Sequence, residues 1–163
     1  MTQYLTGLVA VFSALAAAPS IAACPQELAV YEDSSGQALT FAPPPVGGQA
    51  AEHSFSIRIG GQDLQGVVMW SEGPERPNGI VMDHCPEGDV TGEELDVCTV
   101  WQGVIYGLTK DAGAPFLGKR GADHAEALLL PDFSRAVQSH TFKNPLSGPP
   151  KADDVFRMKA CQE

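Results

Sequence analysis

Positive charge is scarce in this chain. Its 163 residues carry 10 lysines and arginines against 20 aspartates and glutamates, a net charge of −10. DNA, RNA and anionic lipid repel so acidic a surface, which makes nucleic acid and membrane headgroups poor partners. Catalytic signatures are missing as well. There is no Gly-x-Ser-x-Gly elbow and no Ser-x-x-Lys, the local patterns of two common serine-enzyme classes. No Cys-x-x-Cys occurs, so neither a thioredoxin-type redox pair nor a zinc knuckle is indicated. The four histidines, His53, His84, His124 and His140, include no pair three or four residues apart, whereas a zinc site needs three or four convergent ligands. The sequence therefore assigns no catalytic, cofactor or metal residue. Internal repeats are absent too.

The charge that is present begins late. Residues 1–23 contain no charged side chain. A largely apolar run from Leu8 to Ala18 is followed by Pro19, Ser20 and small residues. The run is too short for a hydrocarbon core that needs about 20 residues, and with small residues at 20–23 it has the form of a secretory signal peptide. Ser20-Ile21-Ala22 fits cleavage before Ala23, and Ile21-Ala22-Ala23 before Cys24. Cutting at Cys24 leaves 140 residues (24–163), one globular domain's worth of chain. No later stretch approaches membrane-spanning length. The expected location is the periplasm or the exterior.

In such a compartment four cysteines suggest a disulfide framework, with three possible connectivities. Spacing favours Cys85 with Cys98, closing a local loop, and Cys24 with Cys161, joining the ends of the domain. Ile21-Ala22-Ala23-Cys24 also has the form of a lipoprotein processing site, so a lipid anchor on Cys24 is the alternative. That anchor would strand one thiol in an oxidising compartment, and Pro25 and the absence of a basic n-region weigh against it.

Strands are predicted over 27–33, 37–42, 53–59, 64–70, 80–85 and 155–161, and a buried strand or turn over 126–131. The clearest is His53–Ile59, where Phe55, Ile57 and Ile59 alternate with Ser54, Ser56 and Arg58. Thr91 and Glu94 stand in capping-box spacing. Leu95, Cys98, Trp101, Ile105 and Leu108 follow at near-helical intervals. The prediction is one longer helix over about 92–108 and a short one over about 132–140, opened by Asp132. Gly103, Gly107 and the β-branched residues between 97 and 105 make a strand the rival for the first. The expected fold is a single α+β domain, an antiparallel sheet of five or six strands with the longer helix on one face.

Four features bear on function. Residues 83–94 place Asp83, Gly88 and Glu94 at the first, sixth and twelfth positions of a calcium loop, but Cys85 replaces a required oxygen ligand. Lys119 and Arg120 lie between glycines in a basic loop that lacks Walker spacing. Trp70, Trp101 and Tyr106 are either groove aromatics or core anchors. Residues 71–100 hold eight acidic residues and one basic, Arg76, so the stretch from Glu72 to Asp96 is the expected contact surface for a basic partner. The resulting expectation is a small, exported, non-enzymatic binding or accessory protein of the cell envelope, with an envelope protein or small ligand as partner. A small hydrolase with a dispersed site near His84 and His124 is the alternative.

Overall fold

A computed structural model describes residues 24–43, 51–88, 90–144, 148 and 151–163. The leader expected over 1–23 lies outside them, as do most of the proline-rich loops over 43–48 and 144–150. The described chain is mostly β. After a 3-10 turn at Gln26–Leu28 come β1 (Ala29–Glu32), β2 (Ala38–Ala42), β3 (His53–Ile59), β4 (Gln62–Glu72) and β5 (Glu75–Met82). A short helix α1 (Gly92–Cys98) leads into β6 (Thr99–Val104), β7 (Tyr106–Leu108) and β8 (Ala127–Leu129). Helix α2 (Phe133–Ser139) and β9 (Val155–Cys161) complete the chain.

All neighbours pair antiparallel, in the order β6-β5-β4-β3-β2-β1-β9-β8-β7. The two edge strands are consecutive in sequence and separated only by Ile105. One continuous run of chain thus pairs with β5 through its first half and with β8 through its second, which curls the sheet into a nearly closed barrel. The split left there is filled from both ends. Residues 115–117 run beside β7, where Gly107 N–H donates to Pro115 O (2.9 Å) and Leu117 N–H to Ile105 O (3.1 Å). At the other end α2 covers β6, with Trp101 Nε1–H donating to Pro131 O (2.8 Å) and Phe133 set edge-on to Trp101.

Alternation explains the interior. His53, Phe55, Ile57 and Ile59 of β3 are buried, as are Leu64 and Val68 of β4 and Val81 of β5. Large and small residues interlock between strands: Phe55 pairs with Gly66, and a Cβ on Gly66 would lie 2.2 Å from the Phe55 ring. Tyr31, Phe41 and Phe55 then form a chain of ring contacts, 5.9 and 5.6 Å between centroids. The barrel is filled by its own side chains, as expected for eight or nine strands.

Two expectations are corrected. The fold is not an α+β domain with a sheet of five or six strands: the described residues form a nine-stranded, nearly closed barrel-like sheet with two short helices. The helix predicted over 92–108 stops at Cys98. Its capping box is present, with Thr91 Oγ1 accepting from Glu94 N–H and the Glu94 carboxylate accepting from Thr91 N–H. Beyond Cys98, however, the β-branched residues gain more as a strand. There Trp101 pairs with Val81 and Thr99 with Met82, which covers an otherwise bare edge of β5 and buries Val100, Trp101 and Ile105. Residues 71–79, left between the strands predicted over 64–70 and 80–85, belong largely to the β4–β5 hairpin. At α2, Asp132 makes no capping bond. Asp154 instead accepts from Asp132 N–H (3.1 Å) and Ser134 N–H (2.7 Å).

Strand direction gives the barrel two distinct ends. At the helix end lie the 33–37 and 60–61 turns and the described parts of the connections 83–98 and 130–154. At the termini end lie Gln26–Leu28, the β4–β5 turn, the 109–126 connection and the C-terminus. Bridges occupy both: Cys85–Cys98 (Cα–Cα 5.2 Å) the first, Cys24–Cys161 (Cα–Cα 5.9 Å) the second. No cysteine is free. Among the described residues no helix is long and apolar enough to cross a membrane.

Candidate functional site

At the helix end, Asp83 sits just past β5 with none of its surface exposed. Its Oδ1 lies 2.6 Å from His84 Nδ1. Its Oδ2 accepts from Lys143 N–H (2.9 Å) and lies 3.5 Å from His140 Nε2. Burial alone would raise this carboxyl's pKa, but the bonds from His84, Lys143 N–H and His140 outweigh it and hold the pKa below the usual aspartate value. Asp83 thus binds the 83–98 connection to residues 140–143, and Lys143 Nζ adds a bond to His84 O. His84 adopts a left-handed backbone (φ 49°), uncommon for a side-chain-bearing residue, which turns its imidazole toward solvent while Nδ1 stays on Asp83.

The calcium-loop pattern does not assemble oxygen ligands here. Hydrogen-bond donors occupy Asp83, Glu94 serves the capping box, and Cys85 is bridged. Among the described residues no three His, Cys, Asp or Glu side chains are arranged to hold a metal ion. His84 and His124 lie at opposite ends of the barrel, so the dispersed site built on both has no common location. His53 is inside the barrel, its Nε2 2.7 Å from Gly118 O.

The acidic stretch is divided in the same way. Glu72 and Glu75 flank the β4–β5 turn at the termini end, whereas Glu87, Glu93 and Asp96 project from the stapled connection at the helix end. Glu75 is also neutralised by Lys119, whose ammonium lies 4.7 Å over the Trp70 ring. Arg120 donates to Ala51 O (2.9 Å). The Lys119-Arg120 loop is therefore a clasp on the barrel rather than a free basic tip. The aromatics do not share a groove: Trp101 anchors α2, Trp70 lies under Lys119, and Tyr106 pairs with Phe116 at 5.6 Å.

What remains at the helix end is a rigid acidic projection. Between Cys85 and Cys98 there is no lysine or arginine. Glu87, Glu93 and Asp96 are solvent-facing, and Val90 and Val97 are exposed, Val97 by 71%. A bridge at its base and a capping box within it fix its shape.

The termini end carries a cleft of about 360 Å³, lined by Gln26, Lys110, Phe116, Asp123, His124 and Glu126 among others. Gln26 is 1% exposed. Its Oε1 accepts from Ala125 N–H (3.2 Å) and lies 3.1 Å from Tyr31 Oη, which is also 3.1 Å from Ala125 O. Nothing in the sequence marked Gln26, which lies two residues past the leader boundary and becomes notable only once the fold buries it. Burial pushes the Tyr31 pKa up to about 12, against the opposing bonds to Gln26 and Ala125. A raised value means that stability from this phenol is complete below pH 10 and is lost as the pH climbs toward 12. In an alkaline absorbance titration, one tyrosine should ionise near pH 12, and Tyr31→Phe should delete that step. Ionisation of every tyrosine by pH 11 without unfolding would show Tyr31 to be solvated.

Compared with protein-family models, curated proteins and solved structures, the chain matches none of them.

Proposed function

We propose that this chain is an exported, disulfide-stapled barrel of the cell envelope that works by binding, and that its contact surface is the acidic projection between Cys85 and Cys98. The observation that carries this is the concentration of exposed Glu87, Glu93 and Asp96 with exposed Val90 and Val97 on one covalently bracketed segment. Such a surface favours a basic partner that offers apolar cover. Charge would steer the encounter, and the valines would be desolvated on docking. Holding the segment rigid before binding lowers the ordering cost of the complex. The leader form of residues 1–23 and the two bridges support export. The Cys24–Cys161 bridge supports the unanchored form, because a thioether lipid would need the same sulfur.

Intact mass of the exported protein should report loss of residues 1–23, two disulfides and no lipid. In pull-downs from envelope extract, a partner should be retained at low salt and weaken on the order of tenfold as ionic strength rises to about 0.3 M. Glu93→Lys combined with Asp96→Lys should abolish retention, and Glu72→Lys, at the other end, should not. A salt-insensitive partner, or equal loss with both variants, rules out this surface.

A further inference from the structure

We infer that a cleft beneath the stapled connection takes the side chain of an arginine in the basic partner. The inference rests on the reading of that connection as the contact surface, and it names the residue of the partner that is gripped. It begins with the imidazole of His84. Asp83 behind it is fully buried and holds the ring by Nδ1 at 2.6 Å. A carboxylate only accepts, so the Nδ1 proton is fixed there and Nε2 of the neutral ring is left as an acceptor. The His84 side chain is 53% exposed. It lines a cleft of about 450 Å³ between outward residues of β4 and β5 and the stapled connection. Its left-handed backbone (φ 49°) is a costly conformation of the kind found at ligand sites.

The other walls select the ligand. Met82 and Leu95 are half-buried and Val90 is exposed, an apolar surface that an aliphatic stem can cover. Glu87 lines the same cleft and makes no ion pair among the described residues. Asp63 is the second carboxylate, but Arg58 already holds it through bonds of 2.8 and 2.7 Å. Lys143 is spent on the His84 carbonyl and does not line the cleft. The cleft thus offers one open carboxylate, one neutral nitrogen acceptor and an apolar wall, with no lysine or arginine among its described lining residues. An anion would be repelled there, by Glu87 and by the neighbouring Glu93 and Asp96. A guanidinium suits this set better than an ammonium. Its N–H groups lie in one plane, so that it can meet a carboxylate and an imidazole nitrogen together, and it is the more weakly hydrated cation. His84, Glu87 and Val90 are all solvent-exposed, so an entering side chain reaches them without opening the fold.

The test is a titration of the exported, bridged protein with the blocked peptide acetyl-Gly-Arg-Gly-amide, followed by two-dimensional NMR. The expected result is saturable movement of the His84 ring and of the Met82 and Leu95 methyl signals, with a Kd on the order of 1 mM. The same peptide with citrulline, which keeps the shape and loses the charge, should bind at least ~10-fold more weakly, and the lysine peptide about threefold more weakly. Glu87→Gln alters an exposed side chain and should weaken binding about tenfold. His84→Asn, whose new side chain tolerates the left-handed backbone, should do the same at a native thermal midpoint. Glu72→Gln removes an equal charge at the other end of the barrel and should leave binding unchanged. The inference is overturned if the arginine peptide moves none of these resonances, or if the citrulline or lysine peptide binds equally well. Equal effects of Glu87→Gln and Glu72→Gln would overturn it too, since the attraction would then be net charge alone. The pull-downs judge the contact surface separately: a partner lost with Glu93→Lys/Asp96→Lys but fully retained by Glu87→Gln would keep that surface and remove the cleft from it.

Discussion

Replacing Cys24 and Cys161 together by serine should cost this protein more stability than any other pair of substitutions on its surface. The bridge spans 137 positions, and in the chain-entropy model a loop of that length is worth about 5 kcal/mol, against roughly 3 kcal/mol for the 13-position Cys85–Cys98 bridge. For a domain whose whole stability is on the order of 5–15 kcal/mol, the first figure decides whether the barrel stays closed. The location of the bridge adds to the effect. Cys161 pairs with Ala29 at the end of the β1–β9 ladder, the seam that joins the first strand to the last, where Gln162 N–H also donates to Leu28 O (2.8 Å). Urea unfolding of the Cys24→Ser/Cys161→Ser protein should show a loss near 5 kcal/mol, and its thermal midpoint should fall by on the order of 15 °C. The Cys85→Ser/Cys98→Ser protein should lose less. The reverse ranking would mean that strand pairing alone closes the barrel and that the local staple governs the helix end more strongly than its loop length implies.

The strands were legible where one face alone meets the core. His53–Ile59 and Val155–Cys161 coincide with β3 and β9, since alternation survives whatever the neighbours do. The strands predicted over 27–33 and 37–42 contain the β1–β2 pair. Residues 99–108 were not legible, and the reason is physical. Apolar side chains at 95, 98, 101, 105 and 108 satisfy helical spacing, and Thr91 and Glu94 do start a helix. Whether that helix continues depends on whether β5 needs a partner, which is a tertiary fact. Once the chain beyond Cys98 pairs with β5 and then crosses to β8, a sheet that would have been open becomes a barrel, and the fold class changes with one segment. Turn chemistry hid the first part of β5 in the same way, because Pro74, Pro77 and Gly79 read as loop signals although Gly79 makes room inside the barrel for Ile105 and Trp101.

Site residues divided along similar lines. Exposed acids between Cys85 and Cys98 could be read from composition. That Glu72 and Glu75 face the other end could not, because a β-strand of eight residues carries the chain across the barrel between them. Gln26 carried no signal at all: a glutamine is ordinarily a surface residue, and only the fold buries it and sets its Oε1 against Ala125 N–H and Tyr31 Oη. Basic loops mislead in the opposite sense, since Lys119 and Arg120 are consumed in holding Glu75, Trp70 and the 51–52 backbone.

The second large effect is expected at Asp83. Asp83→Asn keeps the shape but removes the charge and leaves one acceptor oxygen where the carboxylate has two, so Lys143 N–H, His84 Nδ1 and His140 Nε2 lose the anion they share. Such a loss within a buried network costs about 2–4 kcal/mol, read as a lower urea midpoint at pH 7 with an unchanged m-value. The pH dependence separates this from a mere packing defect. The folded-state pKa of Asp83 is depressed below its unfolded value near 3.8, so its stabilisation is complete above pH 4 and is lost as the pH falls through the folded-state value. The part of the gap between wild type and Asp83→Asn that comes from the Asp83 charge should therefore narrow as the pH falls below 4 toward pH 3. His84, His140 and Lys143 are the charged or chargeable groups that face this carboxylate, so Lys143→Ala, which keeps the backbone donor, should preserve most of that pH dependence. Asp63, lowered by its exposed bond to Arg58, and Glu94, lowered by its Thr91 cap, shift in the same direction but are solvent-screened and contribute less. A gap that stays constant down to pH 3 would mean that Asp83 is protonated or unpaired in the native protein. The tie between the stapled connection and residues 140–143 would then have to rest on His84 O and Lys143 Nζ alone.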